Sequence, residues 1–472
     1  MSPDVLPAFT DVITKRVAAA ESPRILLLFS ALLVMMFSTG HNLVNVAGLL
    51  VAAGVAAVAL LHPMAIRKRD WLGRAEWVLI VSLVIAGLIL TGGRLAHSLT
   101  DLLFPTWVAV TALYTILGMA GALLLILRVP HMRWAFALFV LVHAVMTVAL
   151  LRSSPAHIDV EIYLRDGSAA LLHGHNPYTM TIPNIYPPRL AELFYGPGTV
   201  INGRVEFGFP YLPLALLVAI PGHILGDVRY SQLIAMMVTA LALRGLATDR
   251  VGRAAAVLGV ASFSAPLVLL GAWTEPTSVA LLACLVLALE RRRQVPAALF
   301  LGLLLVSKQY FVIVIPILWL IRQWLTRRVI LIGLGIAAAV TLPLFLVDPA
   351  TFWKCIMGIG QVALRPDSTS LLVSSVNAFG WPPPWTYGVL PLAGGGLTAI
   401  VLALRAPRTP PAFAACVGLT LLVTILLSKQ AFMNYYFLVS GALLIAAVAW
   451  PAPTGPQSPT AEPAGHQLDN QP

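Results

Sequence analysis

Apolar runs long enough to cross lipid recur from one end of this chain to the other, and no other feature constrains its fold as much. A backbone inside hydrocarbon must satisfy its hydrogen bonds internally, which leaves helices or closed barrels. Runs of about 20 residues without strict alternation choose helices. They lie at 25–38, 43–61, 76–92, 106–127, 134–151, 230–247, 253–270, 276–289, 297–307, 310–321, 329–347, 386–404, 412–427 and 432–450. Only 10% of the residues are charged, against about 25% in soluble domains. The expected fold is therefore all-α: a polytopic transmembrane helix bundle of about fourteen spans, with a large external loop carrying interfacial helices. The expected organisation is a five-span region over 1–151, an external acidic loop over 152–229, a second transmembrane region over 230–450, and a disordered cytoplasmic tail over 451–472. No small-residue cleavage site follows the first run, so it is expected to stay as a span.

The net charge of +11 is distributed as the positive-inside bias of a membrane protein requires, and it does not point to nucleic acid. Two segments decide the orientation. The stretch "PYLPLALLVAIPGHILG", Pro210 to Gly226, is short and interrupted by proline. As a half-helix on the outer surface it leaves Arg244, Arg250 and Arg253 inside. The run from Pro296 to Ile321 has arginines on both flanks, at 291–293 and at 322, 327 and 328. It is expected to fold back as a hairpin with Ser307, Lys308 and Gln309 at its tip. Twenty of the thirty basic residues then face the cytoplasm, with both chain ends.

The polar residues left outside form a pattern. "HIDVEIYLRDGSAALLHGHNPY", His157 to Tyr178, holds Asp159, Glu161, Arg165 and Asp166 within a short span. Helical spacing puts Asp159, Tyr163 and Asp166 on one face and Val160, Leu164 and Leu171 on another. An amphipathic surface helix is expected, ended by Gly174 and the Asn176-Pro177 turn. "SKQYF" at 307–311 and "SKQAF" at 428–432 repeat a tripeptide in a chain with only five lysines. A lysine at that depth is costly unless it meets an anion or a water-filled cavity. Snorkelling explains a lysine alone, but not Ser and Gln beside each one. Glu275, in "GAWTEPT", stands before Pro276 at an outer turn, and Asp227 with Arg229 opens the span at 230. These residues point to one external cavity at membrane level, holding carboxylates and several cations.

Several chemistries find no motif. Cys284 and Cys416 lie in apolar runs and Cys355 stands alone, so neither disulfides nor a thiolate metal site is indicated. No His or Cys cluster has metal-ligand spacing, and neither a phosphate-binding Gly-rich loop nor a dinucleotide fingerprint appears. No metal is expected to be obligatory.

In this order the residues resemble the polytopic C-type glycosyltransferases, which use polyprenyl-phosphate sugars. The stretch "DVEIYLRDGSAALLHGHNPY" is similar to the Asp-x-x-x-Tyr…Gly-x-x-Pro-Tyr signature of their bacterial alpha-1,2-mannosyltransferase-like branch. The proline-containing surface helix, the acid-Pro turn "WTEP" and the hairpin "LGLLLVSKQYFVIVIPILWLI" follow in the same order. The resemblance covers about 150–450 loosely and is specific mainly at 157–178 and 300–320. It implies a plasma-membrane enzyme taking mannose or arabinofuranose from a lipid-phosphate donor to a glycan or glycolipid acceptor, with inversion by analogy to hydrolysis. It implies that Asp159 is the catalytic acidic position, with Glu161 as the alternative. Lys308, Lys429 and Arg229 are then expected to hold the donor phosphate. Tyr163, Glu275, Gln309, Gln430 and Tyr178 are expected to position substrate. A transporter or lipid flippase is the competing expectation. It calls for inverted repeats or paired broken helices, and the sequence shows no such symmetry.

Overall fold

The computed structural model describes residues 21–38, 42–61, 133–153, 156, 158–249, 252–253, 255–256, 265–358 and 363–450. The expected spans at 76–92 and 106–127, half of the one at 253–270, and the tail at 451–472 lie outside these residues. The chain is overwhelmingly helical. It runs through α1 (Glu21–Phe37), α2 (Leu43–Leu61), α3 (Arg133–Ser153) and α4 (Asp159–Leu172). A short lobe follows, with β1 (Ile182–Pro183), α5 (Pro188–Tyr195), β2 (Val200–Ile201), β3 (Arg204–Val205) and α6 (Leu214–Ile224). Next come α7 (Arg229–Leu246), α8 (Ala265–Leu270), α9 (Glu275–Glu290), α10 (Gln294–Leu305) and a 3-10 helix over Gln309–Ile321. The order closes with α11 (Arg327–Val347), α12 (Pro349–Gly358), α13 (Leu371–Phe379), α14 (Val389–Arg405), α15 (Pro410–Leu426) and α16 (Met433–Ala449).

Four helical stretches are long and apolar enough to cross a membrane: Leu43–Leu61, Phe136–Ser153, Arg327–Val347 and Pro384–Arg405. Other apolar helices are shorter, from 10 to 17 residues. The half-helix expected over 210–226 is α6, whose eleven residues reach about 16 Å, roughly half of a hydrocarbon core. The hairpin expected over 296–321 is also present. It breaks at Val306–Lys308, between α10 and the 3-10 helix. Its far ends meet, since Gln294 Nε2 donates to the Trp324 carbonyl at 2.9 Å and the Arg292 guanidinium lies 4.9 Å from the Trp324 ring.

The expectation of an all-helical chain needs one correction. Residues 182–205 form a three-stranded antiparallel sheet in the order β1-β3-β2. The cause is local: Asn202 (φ 52°) and Gly203 (φ 76°) both take positive φ, as a two-residue Asn-Gly hairpin turn demands.

Two apolar cores result. The large one joins α1, α2, α7, α9, α10, α15 and α16. The smaller one gathers Tyr163 and Leu164 of α4, Ile182, Val205, Phe209, Leu216 of α6, and Phe352 with Ile356 of α12. Helices α4 and α6 approach closely because Gly167 has no side chain: a Cβ there would stand 2.8 Å from Leu216 Cδ2. By contrast, α11 buries only Val329 and Gly333. It docks through a glycine contact in which a Cβ at Gly302 would overlap the Gly333 carbonyl, the small-residue packing that membrane helices favour.

Helix α9 has different chemistry at its two ends, about 22 Å apart. At the C-terminal end, Arg291 Nη2 donates to Gly245 O at 3.3 Å. The hairpin closure at 292–294 and 324 lies beside it in the chain. At the N-terminal end lies the candidate site.

Candidate functional site

Glu275 is the first residue of α9, followed by Pro276 in the first turn. It is fully buried. Its Oε1 accepts from Lys308 Nζ at 2.8 Å and Asn434 Nδ2 at 3.0 Å, while its buried Oε2 has no hydrogen-bond partner. A buried carboxylate is tolerable only when paired and hydrogen-bonded, and Lys308, itself buried, meets that need. All of the first Ser-Lys-Gln is engaged. The Ser278 hydroxyl donates to Ser307 Oγ at 2.9 Å, locking the hairpin tip to α9. Lys308 pairs with Glu275, and Gln309 Nε2 donates to Pro210 O at 2.9 Å.

That last bond leads to the segment 207–211, a strap held by residues distant in sequence. Tyr163 Oη donates to Phe207 O at 3.2 Å, Tyr178 Oη to Tyr211 O at 2.8 Å, and Gln309 to Pro210 between them. Three residues expected to touch substrate thus grip one backbone segment. The strap carries Tyr211, whose ring centre lies 5.2 Å from Lys308 Nζ. The Tyr211 hydroxyl is raised well above its ordinary range, by burial first and then by the charges of Asp159, Tyr435 and Glu275. Tyr211 is thus raised by both Asp159 and Glu275.

Asp159 opens α4 in its first turn. Its Oδ1 accepts from Tyr186 Oη at 3.2 Å and from the Val160 amide at 2.9 Å. The Tyr195 hydroxyl neighbours this carboxyl without good hydrogen-bond geometry. Removal from water raises the Asp159 carboxyl above the ordinary carboxylate range, and the Tyr195 and Tyr186 hydroxyls and the backbone amides act in the opposite direction. A half-buried acid walled by tyrosines, with no cation paired to it among the described residues, has the character of a proton acceptor.

Glu161 lies elsewhere on the same helix. Its Oε2 is 3.3 Å from Arg165 Nη1. Burial raises its carboxyl, with Arg165 lowering it, Asp227 raising it and Arg229 lowering it in turn. Arg229 belongs to this second cluster. Its Nε stands 3.0 Å from both Asp227 oxygens, and Nη2 donates to Asp227 Oδ2 at 2.7 Å and to Leu151 O at 2.8 Å. So bound, Arg229 ties the end of α3 to the start of α7. The expected phosphate clamp is accordingly not assembled around it.

The second Ser-Lys-Gln lies between α15 and α16. Lys429 and Gln430 are half-buried there, and loss of water lowers the Lys429 ammonium. Across from it runs 365–369: Arg365 N donates to Lys429 O at 3.1 Å and Thr369 N to Ala431 O at 2.9 Å. The Arg365 guanidinium stacks 3.8 Å from the Phe194 ring centre and 4.8 Å from that of Phe432. Phe194 in turn meets Tyr186 edge-on at 4.6 Å. Tyr186, Tyr195, Tyr211, Asn434 and Arg365 were not foreseen. They stand far from the acids in sequence, with no periodicity linking them, and only "FPYLP" around Tyr211 marks a rigid segment.

Among the described residues no group of His, Cys, Asp and Glu is placed to hold a metal ion. Compared with protein-family models, with curated proteins and with solved structures, the chain matches none of them.

Proposed function

We propose that this chain is an integral membrane glycosyltransferase that moves a mannose-like hexose or arabinofuranose from a polyprenyl-phosphate donor to an extracytoplasmic glycan or glycolipid. The observation that carries this reading is the strap: through Tyr163 it is tied to the helix that opens on Asp159, and through Gln309 and Tyr211 to the Glu275–Lys308 pair. The reading adopts the fourteen-span topology in the bacterial plasma membrane, with both termini cytoplasmic and this end external, where a lipid-linked donor is available and a nucleotide donor is not.

The chemistry asks little of the protein. Asp159 takes the proton of the acceptor hydroxyl as that oxygen attacks the anomeric carbon, a contribution of about 10²–10⁴ in rate. The bond from that carbon to the phosphate oxygen breaks on the opposite face, inverting the centre. Charge on the phosphate grows from one to two as the bond breaks, and cations placed there stabilise it. Lys308 reaches it by exchanging one carboxylate oxygen for a phosphate oxygen while Asn434 keeps hold of Glu275. Lys429 approaches from the second Ser-Lys-Gln. Glu275, with its unpartnered Oε2, accepts a sugar hydroxyl.

The test is transfer by the reconstituted protein from polyprenyl-phosphate mannose or arabinofuranose to an envelope extract. Transfer by the wild type and its loss in Asp159→Asn are expected. Absence of transfer from either donor, with the protein folded, would overturn the reading.

A further inference from the structure

We propose that Arg365, flanked by Lys429, is the residue that binds the donor phosphate, in the place the sequence gives to Arg229. This rests on the glycosyltransferase reading and names a residue that reading did not contain. The other cations are committed. Arg229 is buried and gripped by Asp227 and by the Leu151 carbonyl, and Lys308 must first give up its pairing with Glu275 and so joins only as the phosphate charge grows.

Arg365 differs in three respects. Its guanidinium lies against two rings, Phe194 and Phe432; stacking of this kind pre-organises the fork of donors. Its ion-pair partner among the described residues is Asp367, through Nε at 2.9 Å and Nη2 at 2.7 Å, and that carboxylate is 48% exposed. A pair with so exposed a partner is weak and can yield to a better anion. Finally, its position is right. One aromatic ring, Phe194, separates it from Tyr186, whose hydroxyl donates to Asp159.

The backbone bonds from 365 and 369 to 429 and 431 place both cations on one pair of adjoining segments. Burial lowers the Lys429 ammonium, and an anion beside it acts in the opposite direction. A phosphate presents paired oxygens that match an arginine fork, with a lysine as a second point charge. Arg365 and the base thereby belong to one side-chain cluster, joined through Phe194 and Tyr186, one to hold the leaving oxygen and the other to take the acceptor proton.

The experiment measures binding of polyprenyl monophosphate to the full-length protein in lipid nanodiscs. Wild type is expected to bind, and Arg365→Gln to bind about tenfold or more weakly. Arg365→Lys is expected to recover only part of the loss. Because Arg365→Gln disturbs two ring stacks, Asp367→Asn serves as the second variant: removing the competing carboxylate is expected to tighten binding, which a merely structural arginine would not produce. Unchanged affinity in both variants would overturn the assignment and leave the wider reading standing. No binding by the wild type would overturn the wider reading itself. Binding of inorganic phosphate without the lipid would make this a free-anion site and overturn the donor assignment.

Discussion

Asp159 and Glu161 stand two positions apart on α4, yet their surroundings set them different tasks. Asp159 is walled by Tyr186, Tyr195 and Tyr163, whereas Glu161 shares Arg165, Asp227 and Arg229. Asp159→Asn keeps the shape and removes the base. Turnover is expected to fall by about 10² or more with little change in donor affinity, while Glu161→Gln costs much less. The raised Asp159 carboxyl fixes the pH dependence. The base form is lost as pH falls through a value above the ordinary one of about 3.9, so the acid limb of kcat/KM is expected above the ordinary carboxylate range and to vanish in Asp159→Asn. The sign for stability is opposite. A folded-state value above the unfolded one contributes stability below the unfolded value, and that contribution is lost as pH rises through the folded one. Asp159→Asn is therefore expected to raise the thermal midpoint at neutral pH. A lower midpoint would show that the carboxylate is favourably held and that its tyrosines matter more than its burial.

The strap is an element whose position depends on missing atoms. A Cβ at Gly208 would overlap the Tyr178 carbonyl oxygen and stand 3.0 Å from Cys355 Sγ, which itself donates to that carbonyl at 3.4 Å. Backbone cannot yield as a side chain does. Gly208→Ala is expected to cost about 1–3 kcal/mol and to displace Tyr211 from Lys308. Loss of transfer at temperatures where the variant stays folded is the check; full activity would mean that the strap is not what joins the two acids. The Glu275–Lys308 pair is the other element-scale device. Lys308→Met alone leaves a buried carboxylate unpaired, at a cost of about 3–5 kcal/mol. Adding Glu275→Gln is expected to restore most of that loss, and a denaturation double-mutant cycle measures the coupling.

For the whole molecule, α9 carries the test. Its N-terminus holds Glu275 with Lys308 and Asn434, and its C-terminus leads into Arg291, Arg292 and the hairpin closure with Trp324. If that axis follows the membrane normal, single cysteines placed beside Asp159, Lys308 and Lys429 are labelled by an impermeant reagent in intact cells. Those near 292 and 325 are not. Labelling near 292 or 325 from outside would place the candidate site in the cytoplasm and remove the lipid-linked donor from reach.

What the sequence by itself determined are features that repeat or follow from a local rule. Apolar length marked out α9, α11, α14, α15 and α16 to within three residues at each end, because hydrophobic runs report burial directly. Basic residues on both flanks predicted a hairpin tip at 307–309, where the break falls at 306–308, and a period of 3.6 with Gly174 predicted α4 and its end. The Asn-Gly turn that makes the small sheet was legible too, though the surrounding apolar composition masked it. Only the tertiary structure decided which polar residues share a site. Tyr186 reaches Asp159 and Tyr211 reaches Lys308 through folding of the lobe, Asn434 reaches Glu275 across 159 positions, and Arg229 is drawn away by an aspartate two residues before it. Such encounters depend on distances through space between elements whose sequences carry no record of one another. The residue types therefore foretold a charged site, and the packing of the lobe against the bundle chose its members.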